Sequence, residues 1–319
     1  MRAGSCLAGL IAAGTPAASA LRTASARETL AQAAVGRLIV LSPLRLVPVA
    51  DALASQFRAN HPRVRLRRRQ ARDRGLRADW NQEHVALLTD TPLSARAVRR
   101  YQRQFGFKPA QRRIAAGAVI VIVNERNPIV DIGLDLKALG AIFGGRSGGQ
   151  SSGYSTWIDV GVERPLGRRP IAPSTAVRSK PTHNFQRLVL EGRDFKAGVA
   201  KLQGDPSIVV PDAVRRNENG IGLVDYLTMQ RSDAYDGITD VPLRATQTDE
   251  PAFALPDTLT DGSYPLTFYL HLYFKPAAGS SEPESPLVQA WLSVVEQPGA
   301  RAALESEGYV PLPSGVAGA

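Results

Sequence analysis

The chain has 319 residues, is 44% hydrophobic and 21% charged, and carries a formal net charge of +10. These fractions lie near globular averages and exclude a disordered chain, a coiled coil or a low-complexity fibre, while the length suits two lobes. No run of 18 apolar residues occurs, so a membrane-spanning helix is not expected.

Residues 1–20 read as a secretory signal peptide. Arg2 is their single charge, Leu7 to Ala13 is apolar, and Ala18-Ser19-Ala20 forms a small-x-small cleavage site. Ala24-Ser25-Ala26 offers a second site, and an Ala-rich disordered N-terminus fits the same residues. Cys6, the only cysteine, comes too early for a lipoprotein signal. The expected mature chain is therefore periplasmic and thiol-free, with no disulfide and no Cys-based site. Residues 21–36 follow as an N-terminal extension.

Leu38-Ile39-Val40-Leu41 is a short apolar run, read as a buried strand. The turn Ser42-Pro43-Leu44-Arg45 follows, then a helix with Val47, Leu53 and Phe57 at helical spacing. Val64-Arg65-Leu66 alternates as a second strand, and Val85 to Leu88 is a third. Arginine crowds this region: residues 37–117 hold 18 Lys and Arg against 5 Asp and Glu. The densest stretch runs from Arg58 to Arg77, and Arg96, Arg99, Arg100 and Arg103 follow at helical spacing. Such a patch first suggests nucleic acid. The aromatic interleaving of a single-strand binder is missing, however, and an exported chain rarely meets that partner, so none is expected. Two readings stay open: a solvated Arg-rich surface, or a docking face for an anionic envelope component.

Ala115 to Val123 is a β-branched run too continuous for a half-exposed strand, and so central. Residues 144–156 form a Gly/Ser loop, and a helix begins near Pro181 with Phe185 and Leu188. Gly220 to Val224 is a further strand, and the acidic, Pro-containing stretch Asp233 to Asp261 reads mostly as loop. Tyr264 to Phe274 is a second long strand, and Ser285 to Glu307 fits two helices. Strands alternating with helices give an α/β architecture with crossover connections.

His61, His84, His183 and His271 show no metal spacing, and no His-Glu-x-x-His, Gly-x-Ser-x-Gly, Walker or Cys motif occurs. Binding without catalysis is expected, with no metal and no cofactor.

Six short stretches, taken in order, resemble the phosphate-type periplasmic substrate-binding proteins of bacterial ABC importers. They are Leu38 to Ala50 with Pro48; Glu83-His84-Val85-Ala86; Val123-Asn124-Glu125-Arg126-Asn127-Pro128; Ile142-Phe143-Gly144-Gly145 with Trp157-Ile158-Asp159-Val160-Gly161; Val214 to Asn217 with Gly220-Ile221-Gly222-Leu223; and Tyr264-Pro265-Leu266 with Gly308-Tyr309-Val310-Pro311-Leu312. The resemblance implies a two-lobed periplasmic-binding-protein-like fold of type II with two hinge-crossing strands. Residues 37–117 plus 265–319 would form the first lobe, and residues 118–264 the second. It also implies hinge closure on a ligand and an ABC permease as partner.

Family members hold phosphate with hydroxyls, amides at helix N-termini, one Arg and one Asp. In this sequence those ligands have changed. The Ser-Thr pair of the first turn falls on Leu44 and Arg45, and the Asp of Ala-Asp-Ile-Ala falls on His84. The Arg-x-x-x-Ser-Gly-Thr motif falls on Thr175 to Pro181, where only Ser179 matches. The resemblance therefore gives a candidate set of Arg45, His84, Thr89, Arg178, Ser179, Lys180 and Thr182. They would form a modified site for a small oxyanion, phosphate or phosphate-like. His84 would make such a site pH-sensitive; Trp157 and Tyr264 are expected to pack in the core or hinge. The alternative is a non-transport, envelope-associated protein that reuses the fold and acts through its Arg-rich face.

Overall fold

Apolar, β-branched segments bring the chain together around one curled sheet, described in a computed structural model for residues 35–71, 84–145, 153–163, 165–230 and 236–313. The expected signal peptide, Arg72, Arg74 and Arg77, and residues 146–152 of the Gly/Ser loop lie outside the described residues. The first part of the chain contributes β1 (Gly36–Ser42), α1 (Val47–Asn60), β2 (Val64–Gln70), β3 (Val85–Thr89), α2 (Ala95–Phe105) and β4 (Ala110–Asn124). Then come β5 (Leu134–Asp135), α3 (Leu136–Phe143), β6 (Ala172–Ala176), α4 (Lys180–Leu188), β7 (Ala200–Leu202), α5 (Pro206–Arg215) and β8 (Gly220–Asp225). The chain finishes with β9 (Ile238–Asp240), β10 (Leu243–Arg244), β11 (Thr267–Phe274), α6 (Pro286–Val295), α7 (Pro298–Ser306) and β12 (Val310–Pro311).

The main sheet runs β2-β1-β3-β11-β4-β8-β6-β7, with β9 and β12 also pairing with β4. Its two halves, one per lobe, are joined by β4. Residues from Ala110 to Ala118 pair antiparallel with β11, and Val119 to Val123 pair antiparallel with β8. The run Ala115 to Val123 is thus central because it is sheathed on both sides, and it crosses between lobes as one unbroken strand. The return path passes through Tyr264–Leu266 and continues into β11. There the Val119 amide donates to the Leu266 carbonyl at 3.2 Å, and the buried Tyr264 hydroxyl donates to the Val119 carbonyl at 3.0 Å. Gly117 fits at this crossing because a Cβ there would lie 2.8 Å from the Phe268 ring.

Away from the crossing, each half is parallel: β1 with β2 and β3, and β6 with β7 and β8. Helices cover these strands through apolar stripes. α1 buries Val49, Ala50, Leu53, Ala54 and Phe57, and Phe57 meets Trp291 of α6 edge-on at 5.4 Å. Val49, Leu53 and Phe57 each contribute about 1.5–3 kcal/mol on burial. In the second lobe Phe185 of α4 packs on Phe143 of α3 at 5.0 Å. Trp157 and Tyr264 are both buried in the core.

β2 runs on through the arginines to Gln70 and, among the described residues, forms the edge of the sheet. Val64 and Leu66 face inward, Arg65, Arg67 and Arg69 are exposed, and Arg68 donates to Asp51 of α1 at 2.7 Å. Charges along a free edge discourage strand addition, which gives this part of the Arg run a structural use. The stretch read as loop between Asp233 and Asp261 contains β9, β10 and a helical turn at Pro256–Thr260. These elements are too short to show a period in sequence.

Candidate functional site

Parallel strands in both lobes point their C-terminal ends at the same gap, and that is where an open α/β sheet places its ligand cleft. The first wall follows β1. Pro43, extended at φ −65°, starts the helical turn Leu44–Leu46 that carries Arg45, and Pro48 enters the first turn of α1. The second wall follows β6. Arg178 adopts a left-handed backbone at φ 58°, and Ser179 caps α4 by accepting the Thr182 amide at 3.2 Å. Both flanking helices carry proline in their first turn, which removes an amide that could face an anion. The cations beside these helix starts, Arg45 and Arg178, line the space between the lobes.

The cleft has two connected chambers. The larger, about 680 Å³, is lined by Pro43, Leu44, Arg45, Gln70, Ala71 and, across from them, Arg178, Ser179, Thr182, His183 and Gln186. The smaller, about 540 Å³, shares Arg45 and Arg178 and adds Lys180, Asp205, Ser207, Asp225 and Thr228. Among the described residues Arg178 makes no ion pair, although its backbone sits in a region that costs a non-glycine residue about 1–3 kcal/mol.

Behind Arg45 lies Asp90, the residue that follows β3. It is fully buried, whereas the Arg45 side chain keeps 16% of its surface exposed to the cleft. Arg45 Nε donates to both Asp90 oxygens at 3.0 and 2.9 Å, and its Nη2 donates to Oδ1 at 2.5 Å. From the second lobe, Asn184 Nδ2 donates to Asp90 Oδ2 at 3.3 Å, and Arg187 Nη2 donates to Asn184 Oδ1 at 3.1 Å. The Thr91 hydroxyl links Arg45 Nη2, at 3.2 Å, to His183 Nε2, at 3.5 Å. Burial pushes the Asp90 carboxyl up, but Arg45 above all, with His183 and Asn184, more than offsets this and holds it below the usual carboxylate range. Desolvation in turn lowers the Arg187 guanidinium, against the pull of Asp90.

Of the residues expected from sequence, Arg45, Arg178, Ser179 and Thr182 meet in the larger chamber. The hydroxyl of Thr182 donates to the Ala176 carbonyl at 2.6 Å and lies 2.7 Å from Ser179 Oγ, so this pair braces the loop as well as lining it. Lys180 lines the smaller chamber, but its ammonium is tied to the framework. It donates to the Glu307 carbonyl at 3.2 Å, lies 3.6 Å from Asp225, and sits over the Tyr309 ring. Thr89 is buried and closes the turn around Asp90 by accepting the Thr91 amide at 3.1 Å. It positions the acid and does not line the cleft.

His84 lies outside the site. It precedes β3, and its Nδ1 is 2.8 Å from Ser285 Oγ at the start of α6. Six residues of nearly extended chain separate it from Asp90, roughly 20 Å at strand rise. The expected pH-sensitive ligand is therefore at the wrong end of its strand. Sequence reading missed Asp90, Thr91, His183 and Asn184. The signal that could have found Asp90 is an acid placed directly after a fully apolar parallel strand, where its carboxylate must meet either the cleft or a buried cation.

The PBP superfamily domain matches residues 45–296 of this chain. The phosphate-binding protein PstS of Pseudomonas aeruginosa is 27% identical over 226 residues, covering 68% of this chain and 64% of that protein. The chain thus matches just under two thirds of the length of these curated relatives. Among solved structures, a possible phosphate binding protein from Planctomyces limnophilus superposes with a TM-score of 0.68 at 17% identity, covering 88% of this chain and 94% of that one. PstS from Borrelia burgdorferi gives 0.66 at 12% identity, covering 88% of this chain and all of that one. At such identities the likeness shows the fold, a two-lobed α/β binding-protein architecture.

Proposed function

The chain belongs to the PBP superfamily domain family, and from that premise we propose that it is a periplasmic solute-binding protein that delivers a small oxyanion to an ABC permease. The observation that carries this reading is Arg178, a strained cation with no ion-pair partner among the described residues, facing Arg45 across the cleft. Ser179, Thr182 and His183 add hydrogen-bonding groups around the same space. Arginine suits this task because its planar fork matches an oxyanion edge. The protein acts by binding alone: the lobes, residues 37–117 plus 265–319 and residues 118–264, close about the crossings near Val119 and Leu266. The names of the curated relatives support phosphate or a phosphate-like anion as the ligand class, and the N-terminal sequence supports export.

Isothermal titration with inorganic phosphate, sulfate and organophosphates tests the reading. One saturable site per chain, lost in Arg178→Ala, is the expected result. Heat that never saturates, or binding unchanged in that variant, would remove the cleft from the function.

A further inference from the structure

An oxyanion set against an open buried carboxylate is repelled unless it brings a proton to share, so such a carboxylate sorts protonated anions from bare ones. Asp90 is buried but not open. Its Oδ1 accepts from Arg45 Nε and Nη2 and lies 3.4 Å from the Thr91 hydroxyl, while Oδ2 accepts from Arg45 Nε and Asn184 Nδ2. A carboxylate offers about four lone-pair positions, and these contacts occupy them. Asp90 is also absent from the cleft lining, because Arg45 stands between it and the open space. The other charged or titratable groups near it are His183 and Arg187 of α4, His271 of β11, and Tyr309. Among the described residues no carboxylate lines the larger chamber, and the two that line the smaller one are engaged: Asp205 accepts from the Ser207 amide and hydroxyl, and Asp225 accepts from the Thr228 amide and hydroxyl and lies 3.6 Å from Lys180.

The groups that do face the larger chamber are Arg45, Arg178, the hydroxyls of Ser179 and Thr182, and His183. They hold an anion by charge and by donation, neither of which depends on a proton carried by the ligand. We infer that the Arg45–Asp90 pair makes the larger chamber indifferent to ligand protonation, so that its ligand class is the tetrahedral oxyanions in general, sulfate-like as well as phosphate-like. This rests on the oxyanion reading above and narrows it: Arg45 becomes a specificity-determining residue through what it does to Asp90.

The test is a pair of titrations at neutral pH, inorganic phosphate against inorganic sulfate, on the full chain and on Arg45→Gln and Asp90→Asn. In the unaltered protein the two affinities should agree within about tenfold. Arg45→Gln uncovers the carboxylate, and sulfate should then weaken at least about tenfold more than phosphate, through like-charge repulsion. Asp90→Asn removes the acid, so the ratio should stay near its starting value. A preference for phosphate of about a hundredfold or more in the unaltered protein overturns the inference and leaves the oxyanion function standing. So does a folded Arg45→Gln variant, checked by circular dichroism, whose ratio has not moved. If neither anion binds the unaltered protein, the function falls and the inference falls with it, and that outcome is recognised by silence for both anions. The first titration needs no variant, so a failure of Arg45→Gln to fold does not protect the idea.

Discussion

The first-lobe wall of the cleft carries a charge pair closed on itself, with Asp90 buried and Arg45 laid over it. The second-lobe wall carries the opposite arrangement: Arg178, exposed, without an ion pair among the described residues, and held at φ 58°. One wall has satisfied its charges internally and resists disturbance. The other holds an exposed charge on a strained backbone. The two walls therefore differ in how their charges are held, and each can be perturbed separately.

Arg45→Leu should have the largest effect, because it leaves a buried carboxylate without its cation and costs about 3–5 kcal/mol. Its pH dependence has a definite sign. In the unaltered protein the folded Asp90 carboxyl lies below its unfolded value, about 3.9. The pair therefore stabilises the fold above that value, and the contribution is lost as pH falls through the folded one. In the variant burial dominates and raises the folded value, so the defect should be greatest at neutral pH and shrink on acidification. Thermal melts of both proteins from pH 7 down to pH 5 measure this; a defect that stays constant would contradict a buried, unpaired Asp90.

Arg178→Gly should show the reverse pattern. Anion affinity should fall by at least about tenfold, or 1.4 kcal/mol. Stability should hold or rise by up to about 1 kcal/mol, since relief of roughly 1–3 kcal/mol of strain exceeds the entropic cost of glycine. Calorimetric titration beside a denaturant curve separates the two effects. A variant that loses stability and keeps its affinity would erase the contrast between the walls.

His84→Ala tests the opposite end of β3 from Asp90. Losing the contact with Ser285 should cost about 1 kcal/mol or less and leave anion affinity unchanged. Smaller still, replacing Arg67 and Arg69 by Gln should shift stability by no more than about 0.5 kcal/mol and leave the cleft intact. If that double variant instead binds an anionic polymer several-fold more weakly, with a loss that fades as salt rises, the sheet edge is a docking face after all.

The pair of positions His84 and Asp90 also shows how far the sequence could be read. The strand between them was plain, because Val85 to Leu88 is wholly apolar, and β1, β4, β8 and the helices announced themselves in the same way. Which end of β3 faces the cleft is not written in its own residues; it follows from the parallel pairing of β1 with β3, a long-range fact. Arg45, Ser179 and Thr182 line one cavity because their turns lie next to strand ends, which the family resemblance orients. Asn184 and His183 escaped because they sit inside a helix, where a polar residue normally signals solvent rather than a buried partner 94 positions away, as Asn184 has in Asp90. The bond from Lys180 to the Glu307 carbonyl is legible in neither segment alone, because it joins residues 127 positions apart.

β11 occupies the slot between β3 and β4, although the whole of the second half of the sheet separates it from β4 along the chain. During vectorial synthesis the strands β3 and β4 therefore wait with unpaired, strongly apolar edges until residues 267–274 emerge. The β6–β8 half, drawn from one continuous stretch, can close earlier. That order puts the longest loop closure last, which slows the final step and leaves the nascent first lobe exposed to aggregation.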